Sequence, residues 1–202
     1  LSSPYTGKNV VLGFVDSGFD VTHPAFRSSD SETLRIARFW NQIDNKLLSD
    51  KENILAEGTD NKEQTHGTHV AGIAGGGYSG TIATSESTTL DKNPYYGVAY
   101  DADLVMVGST LEDTDILNGI KYVFNYADSI DKPAVVNISL NTSYGPHDGT
   151  SLFDQAIDAM LGKGKILVGS IGNDAKNKTH ASMELNNAET PVLLSLIHIS
   201  EP

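Results

Sequence analysis

The stretch VVLGFVDSGFD at residues 10–20 indicates the fold class of this chain. It opens with an apolar, largely β-branched run and then passes through Asp16 into a Ser-Gly pair that is typical of a turn. A nearly continuous apolar run of this length suits a strand that is buried on both faces of a parallel sheet. Three more runs of the same kind follow, at residues 103–109, 134–140 and 165–172.

Amphipathic helical patterns separate the later runs. From Ile116 to Ile130, apolar side chains recur at the spacing of one helix face, after a start signal at Asp113. A second stripe of the same kind extends from Leu152 to Leu161, where glycines follow and end it. Because strands and helices alternate along the chain, the sequence predicts right-handed crossovers and a three-layer, doubly wound, mostly parallel α/β sheet.

One stretch lacks either pattern. Residues 41–64 are polar and charged, and they predict a long surface loop. In a doubly wound sheet, functional groups gather beyond the carboxyl ends of the strands. The residues that follow the apolar runs are therefore the first candidates for a functional site.

Composition excludes several classes of partner. The chain has 202 residues, enough for one sizeable core, and its 14 Lys and Arg against 26 Asp and Glu give a net charge of −12. The sequence has no cluster of cationic residues, which argues against a nucleic-acid partner. No apolar run approaches the roughly 20 residues that span a bilayer, so no membrane span is predicted. The sequence contains no cysteine, which excludes disulfides, thiolate metal sites and a cysteine nucleophile.

The polar residues at the strand ends allow two interpretations each. Asp16 closes the first apolar run, where a carboxylate either caps the turn or orients a neighbouring group. Asn173 follows the last run, where its amide either belongs to a Gly-Asn turn or donates to a developing negative charge. Taken singly, each residue fits the structural interpretation better than the functional one.

A histidine segment, THGTHVAGIAGG at residues 65–76, is the most specific local pattern. Its many small residues allow a helix to pack very close to another backbone, which favours His66 as a catalytic imidazole held against a sheet. His69 is interpreted as a packed structural histidine. A zinc site is a poor alternative, because the two histidines are three residues apart instead of four and no glutamate lies between them.

Taken together and in order, these segments resemble the subtilisin-like serine peptidase family. The histidine segment agrees with the family's motif almost letter for letter. The resemblance extends from about Tyr5 to about Asn177. It rests on five segments, which are in chain order VLGFVDSG, HGTHVAGIAGG, GVAYDADLVMV, VVNISLN and ILVGSIGN.

The resemblance implies roles for three side chains. Asp16 would hold the imidazole of His66 in one tautomer and stabilise its cation. His66 would act first as general base and then as general acid. Asn173 would donate a hydrogen bond to the oxyanion of the tetrahedral intermediate.

The resemblance also implies how a substrate is bound. Ser139, Leu140 and Asn141 would offer backbone groups to an extended peptide, which would add to the sheet as a further strand. The expected partner is a peptide or protein substrate, and the expected location is secreted or in the cell envelope. No cofactor is expected. No metal site is assigned, because Ala25 stands where family members that bind calcium often have aspartate, and calcium binding by a full-length protein stays an open alternative.

The family's nucleophile has no counterpart here. It lies in a Gly-Thr-Ser-Met-Ala segment downstream of the oxyanion asparagine, and nothing after Asn173 resembles that segment. We therefore expect residues 1–194 to be an incomplete, C-terminally truncated subtilisin-like catalytic domain, inactive by itself, and residues 195–202 to be a non-native tail. The Gly-Thr-Ser triplet that ends at Ser151 precedes Asn173 and is predicted only to cap a helix, with Asp154 at the third helical position.

Two other functions are alternatives to a peptidase. A non-catalytic peptide-binding relative would keep the substrate groove without the nucleophile, although such a protein has no reason to retain Asp16, His66 and Asn173 together. A nucleotide-binding α/β domain is disfavoured, because DSGFD follows the first apolar run where a glycine-rich phosphate loop would stand.

Overall fold

The structure is a computed structural model of the chain, which forms two compact units, Leu1–Gly172 and Asn173–Pro202. It describes residues 5–28, 33–77, 82–83, 89–90, 96–142, 145–146, 148–174 and 176, with backbone alone at 82–83 and 89–90. The tail predicted at 195–202 lies outside the described residues. The helices and strands given below all belong to the first unit.

The first unit alternates strands and helices. Its strands are β1 (Val11–Asp16), β2 (Ile36–Asn41), β3 (Lys46–Leu48), β4 (Ile82–Ala83), β5 (Thr89–Leu90), β6 (Asp103–Gly108), β7 (Ala134–Ile138) and β8 (Lys165–Gly169). Its helices are α1 (Lys51–Glu57), α2 (His66–Gly75), α3 (Asp113–Ser129) and α4 (Leu152–Asp158), together with a single 3-10 turn at Pro24–Phe26. In the part of the chain that the structure describes, no helix has the length and apolar character to cross a bilayer.

The strands form one large sheet and a small hairpin. The large sheet has the order β3-β2-β6-β1-β7-β8, and β4 pairs with β5. All neighbours in the large sheet are parallel except β3, which is antiparallel to β2 at one edge. Asp16 is level with Gly108 and Ile138 with Gly169, so the carboxyl ends of the parallel strands meet at the same edge. The predicted doubly wound, mostly parallel sheet is confirmed.

Helices cover both faces of this sheet, and each face has its own core. Phe14 of β1 and Met106 of β6 belong to a core on the side of α1 and α2. Val15 and Val107, their neighbours in sequence, belong to a core on the side of α3 and α4. Adjacent strand residues point to opposite faces, so continuous apolar runs supply both cores at once. Full burial of one such side chain contributes about 1.5–3 kcal/mol.

The glycines of α2 differ in what they contact. A Cβ added to Gly67 would lie 2.8 Å from the ring of Phe19, and one added to Gly75 would lie 2.9 Å from the side chain of Leu12. At Gly72, apart from the adjacent residues and the backbone of the helix itself, no atom of the described residues lies within 4 Å of an added Cβ. Gly67 and Gly75 thus pack closely against side chains, whereas no such contact is seen at Gly72 among the described residues.

The loop predicted at residues 41–64 is wrong in part. The segment contains β3 and α1, and Ile54 of α1 is fully buried in the first core. Asp50 caps α1, because its side chain accepts hydrogen bonds from the N–H groups of Glu52 and Asn53. A short helix can pack on the sheet here because Ile54 is buried in the core, Leu55 packs against that core, and one carboxylate satisfies the helix's first N–H groups.

The sequence patterns also missed β2. Its fully buried residues Ile36 and Phe39 are three positions apart, and the pairing register shifts between Ile36 and Arg38. A bulge of this kind puts an extra residue into the strand and interrupts the two-residue period. The strand is therefore real but does not show the alternation by which strands are recognised.

Ser151 is the N-cap of α4, as predicted. Its Oγ accepts a hydrogen bond from the backbone N–H of Asp154 at 3.1 Å and donates to Oδ2 of the same residue at 2.7 Å. The helix ends at Asp158, earlier than the apolar stripe, and Leu152 at its start is 84% exposed. The stripe predicted from Leu152 to Leu161 is therefore too long at both ends.

Arg35 joins several segments of the first unit through its guanidinium. Nε donates to the carbonyl of Arg27 at 3.2 Å and Nη1 to that of Ala102 at 3.2 Å. Nη2 donates to the carbonyl of Ala25 at 3.1 Å and also to that of Gly75, the last residue of α2. Burial lowers the pKa of Arg35 to about 10, so the group remains charged at neutral pH.

Among the described strands and helices, none covers one face of β8, which is the last strand in the order of the large sheet. Ile166 is 55% exposed and Val168 is 48% exposed. Leu167, between them, points to the opposite face and packs against the core on the side of α3 and α4. The exposed pair therefore faces the side on which α1 and α2 cover other strands.

Candidate active site

Asp16 is the last residue of β1 and lies at the carboxyl edge of the sheet. It is only 2% exposed, and the alternation along β1 places its side chain on the same face as Phe14, the face that α1 and α2 cover. Its Oδ1 accepts a hydrogen bond from the N–H of Ser17 at 2.7 Å. The backbone then turns at Gly18, whose φ of +81° lies in the left-handed region that favours glycine. The carboxylate is thus buried and held by its own turn.

His66 is the first residue of α2 and contacts this carboxylate. Its Nδ1 lies 2.8 Å from Oδ1 of Asp16 and 3.0 Å from Oδ2. The two side chains differ in exposure, since 55% of the histidine side chain is exposed against 3% of the aspartate side chain. The imidazole is therefore anchored on its Nδ1 side and open to solvent over much of the rest of the ring.

The turn after Asp16 holds the start of α2 in place. Ser17 accepts a hydrogen bond from the N–H of Gly67 at 2.8 Å, and Gly18 accepts one from the N–H of Thr68 at 3.1 Å. The hydroxyl of Thr68 donates to the same carbonyl of Gly18 at 2.8 Å. Within the described residues, Thr65 makes no side-chain capping bond to the helix. The first N–H groups of α2 are therefore satisfied by turn carbonyls, which fixes the helix relative to β1.

Opposing effects act on the charge of Asp16. Burial raises the pKa of its carboxyl above the ordinary value of 3.8. The hydrogen bond with His66 lowers that pKa, as do the N–H of Ser17 and the electrostatic attraction of His66. The charge of Asp60 raises it, as the smallest of these effects. Desolvation dominates, and His66 is the largest influence that favours the carboxylate.

The geometry defines what this pair can do chemically. A carboxylate accepts hydrogen bonds, so the neutral imidazole carries its proton on Nδ1, towards Asp16. Nε2 is then an unprotonated nitrogen on the half-exposed ring, and it can take a proton from a group that approaches from solvent. The arrangement is that of a general base oriented by a buried acid.

Asp60 is a residue of this region that the sequence patterns missed. It lies between α1 and α2, and its carboxylate accepts hydrogen bonds from the N–H groups of Gly18 at 2.9 Å and Phe19 at 2.7 Å. The only signal in the sequence was its place in the polar Gly-Thr-Asp-Asn stretch that starts at Gly58, which is typical of a turn.

The segment predicted to bind substrate follows β7 at the same sheet edge. Ser139 and Leu140 are half-buried and Asn141 is exposed. The carbonyl of Leu140 accepts a hydrogen bond from the hydroxyl of Ser170 at 2.8 Å. A Cβ added to Gly172 would lie 2.5 Å from Cγ of Asn141, so this glycine allows the loop after β8 to approach closely.

Asn173, the predicted oxyanion donor, is the first residue of the second unit. It follows β8, which ends at Gly169, and its side chain is exposed. The structure thus brings Asp16 and His66 into contact within the first unit. Asn173 belongs to the second unit.

His69 is exposed on α2, so its interpretation as a packed structural histidine is wrong. It lies three positions after His66 on a helix whose neighbouring faces carry Gly67 and Ala71, both buried. Among the described residues, no group of three or more His, Asp or Glu side chains is placed to hold a metal ion.

The chain belongs to the Subtilase family of peptidases, whose family profile matches residues 7–195. The match includes both residues of the Asp16–His66 pair. It also includes the strands whose carboxyl ends surround that pair.

Individual relatives match between about half and most of the length of this chain. An extracellular serine protease of Serratia marcescens is 34% identical over 115 residues, which are 57% of this chain and 8% of that protein. A C5a peptidase of Streptococcus pyogenes is 29% identical over 200 residues, covering 84% of this chain and 15% of that protein. The solved structure of the Clostridium perfringens CspB protease has a TM-score of 0.70 and 28% identity, and the match covers 85% of this chain and 37% of that one. The chain therefore spans much less than two thirds of each of these relatives.

Proposed function

We propose that the chain carries the aspartate and the histidine of an Asp–His–Ser triad, in a serine endopeptidase that hydrolyses peptide bonds. The observation that carries the proposal is the contact between the buried carboxylate of Asp16 and the half-exposed ring of His66. Membership of the Subtilase family supports the same assignment. The substrate is a peptide or protein, and the active protein works outside the cell, in keeping with the name of the Serratia relative.

The proton follows a defined path in this mechanism. As the serine oxygen attacks the carbonyl carbon, Nε2 of His66 takes the hydroxyl proton, and Asp16 stabilises the imidazolium through the Nδ1–H bond. His66 then gives the proton to the leaving amine as the C–N bond breaks. A water molecule, deprotonated by the same nitrogen, then attacks the acyl carbon; the ester bond to the serine oxygen breaks, His66 returns the proton to that oxygen, and the second product leaves as a carboxylic acid.

Two further parts of the site are proposed from the family resemblance. Asn173 donates from its amide to the oxyanion of the tetrahedral intermediate. The backbone at Ser139, Leu140 and Asn141 pairs with an extended substrate. The carbonyl of Leu140 already accepts from Ser170, but a carbonyl oxygen has two lone pairs and can accept a second bond.

The nucleophilic serine is proposed to lie in a segment that this chain does not carry. No Gly-Thr-Ser-Met-Ala sequence follows Asn173. Ser151, which ends the chain's only Gly-Thr-Ser triplet, is disfavoured because its hydroxyl caps α4 and bonds with Asp154. The chain by itself is therefore expected to be inactive as a peptidase.

A fluorophosphonate probe, which labels an activated serine, tests this proposal. The 202-residue chain should not react, whereas the protein expressed from the gene read beyond codon 194 should be labelled on a serine after Asn173. His66→Ala in the longer protein should abolish labelling, because the general base is lost.

Two variants serve as controls for the probe. His69→Ala changes an exposed histidine of the same helix, and Ser151→Ala removes only the cap of α4, so both should leave labelling intact. Labelling that survives His66→Ala would overturn the mechanism. A longer protein that binds peptides but never reacts with the probe would favour the non-catalytic alternative.

A further inference from the structure

A second carboxylate, that of Asp60, lies beside the Asp16–His66 pair and has no part in the proton path. Its Oδ2 accepts from the N–H of Gly18 at 2.9 Å, and its Oδ1 accepts from the N–H of Phe19 at 2.7 Å. Each oxygen thus binds one of two consecutive N–H groups of the turn that follows Asp16. These two bonds hold the backbone of the turn at Gly18 and Phe19.

Asp60 is also wedged against the end of β6. A Cβ added to Gly108 would lie 2.5 Å from Cβ of Asp60 and 2.6 Å from its Cγ. Gly108 is level with Asp16 in the pairing of β6 with β1. The carboxylate therefore sits at the carboxyl edge of the sheet next to the strand end that carries Asp16, and only glycine at position 108 leaves room for it.

The other side of the same turn holds α2. The carbonyls of Ser17 and Gly18 accept the N–H groups of Gly67 and Thr68, the two residues that follow His66. A continuous set of contacts thus leads from Asp60 through the turn to the first residues of the helix. Loss of the bonds at one end of this set frees the turn and, with it, the start of α2.

We propose that Asp60 is a positioning residue, which holds His66 against Asp16 by clamping the turn between β1 and α2. Its importance for hydrolysis rests on the proposed function, whereas its structural effect does not. An aspartate suits this position because both of its oxygens accept hydrogen bonds. An asparagine would offer one oxygen and would turn an NH₂ group towards the second N–H donor.

Electrostatics argue that the effect of Asp60 is positional. The charge of Asp60 raises the pKa of Asp16 and so disfavours the ionised form that binds the imidazole. The two hydrogen bonds to the turn account for its presence, because hydrogen bonds from N–H groups to a charged acceptor are stronger than those to a neutral one.

Asp60→Asn in the 202-residue chain tests the proposal by two measurements. Hydrogen exchange of the Gly67 and Thr68 amides should become about tenfold faster or more, because the turn that accepts their bonds is loosened. The low-field proton resonance of the His66 Nδ1–H bonded to Asp16 should weaken or disappear. A general loss of packing would instead speed exchange throughout β1, β6 and β7.

Two further variants make the test decisive. Gly108→Ala keeps the carboxylate but displaces it, so it should speed exchange of the same amides, and it decides the matter if Asp60→Asn does not fold. Asp50→Asn is the matched control, because Asp50 also accepts from two consecutive N–H groups but does so at the start of α1. It should leave His66 and the Gly67 amide unchanged.

The proposal is overturned if Asp60→Asn and Gly108→Ala both leave these amides and the His66 resonance as in the wild-type chain. Neither measurement requires peptide hydrolysis. A longer protein that fails to react with the fluorophosphonate would therefore contradict the proposed peptidase function only. The positioning role of Asp60 is decided independently, by hydrogen exchange and by the His66 resonance.

Discussion

The buried carboxylate of Asp16 is the residue on which this site depends most directly. Burial raises its pKa, and the contact with His66 lowers it again. At pH values below the ordinary pKa of 3.8, the Asp16 carboxyl is protonated in both the folded and the unfolded state. Its ionisation then has no effect on the stability of the folded state. As the pH rises through the pKa of the folded state, the carboxylate ionises in a buried place and stability is lost.

We predict that His66→Ala raises the pKa of Asp16 further, because both the hydrogen bond and the attraction of the histidine are removed. Each additional unit costs about 1.4 kcal/mol of stability once the group is ionised. The variant should therefore be less stable than the wild-type chain by a margin that widens from acid to neutral pH.

Urea unfolding at several pH values, together with a carbon NMR titration of the Asp16 carboxyl, measures this effect. His69→Ala is the control, since His69 is exposed and its loss should give no margin that grows with pH. A margin for His66→Ala that stays constant from acid to neutral pH would contradict the prediction.

The sequence could identify Asp16 and His66 as candidates because each lies in a recognisable local motif. It could not identify Asp60 as their neighbour. The partners of Asp60 are backbone N–H groups 41 and 42 residues away in the chain, at Phe19 and Gly18. Almost every residue type has a backbone N–H group, so the sequence does not indicate which of these groups bond with a distant carboxylate. The hydrogen bonds of Asp60 are therefore seen only in the folded chain.

At the scale of elements, α2 combines tight and open positions on one helix. Gly67 packs against the fully buried ring of Phe19, whereas the position of Gly72 is open among the described residues. Alanine is the better helix former, by about 0.5–1 kcal/mol relative to glycine. The same substitution should therefore have opposite effects at the two positions.

We predict that Gly72→Ala stabilises the chain by about 0.5–1 kcal/mol. Gly67→Ala should destabilise it by about 1–3 kcal/mol, because the added methyl group and the Phe19 ring cannot both be accommodated. Urea unfolding of the two variants side by side measures both effects. Equal changes at the two positions would show that helix propensity alone decides, and the packing argument would be wrong.

The elements that the sequence predicted are those whose pattern is local and regular. The runs that became β1, β6, β7 and β8 are mostly apolar; β1 and β6 contribute side chains to the cores on both faces of the sheet, whereas β8 contributes Leu167 to one core only. β2 was missed because a bulge at Ile36 breaks its alternation, and α1 because one buried residue, Ile54, is too weak a pattern. Longer-range packing defines these two elements.

At the scale of the whole molecule, the uncovered face at β8 has a consequence for solution behaviour. Ile166 and Val168 present adjacent apolar side chains to solvent on an edge strand. Exposed apolar surface beside an unpaired strand edge favours association between chains. We therefore expect the 202-residue chain to self-associate in a concentration-dependent way.

We predict that Val168→Lys reduces this self-association severalfold, because a charge in the exposed face resists burial against a second chain. Sedimentation velocity over a range of concentrations measures the effect. Leu152→Lys is the matched control: it adds the same charge at an 84% exposed residue of α4, which packs on the opposite face of the sheet. Equal effects of the two substitutions would mean that net charge alone governs association.

Arg35 makes the opening of the first unit a collective event. Its guanidinium bonds with carbonyls at Ala25, Arg27, Gly75 and Ala102, which the chain brings together from well-separated positions. A partly buried cation that loses some of these acceptors is left with costly unpaired donors. The helix that carries His66 therefore does not detach alone. Release of its last turn at Gly75 is coupled to the segments that share this cation, whereas its first turn at His66 is held separately by the backbone turn after Asp16.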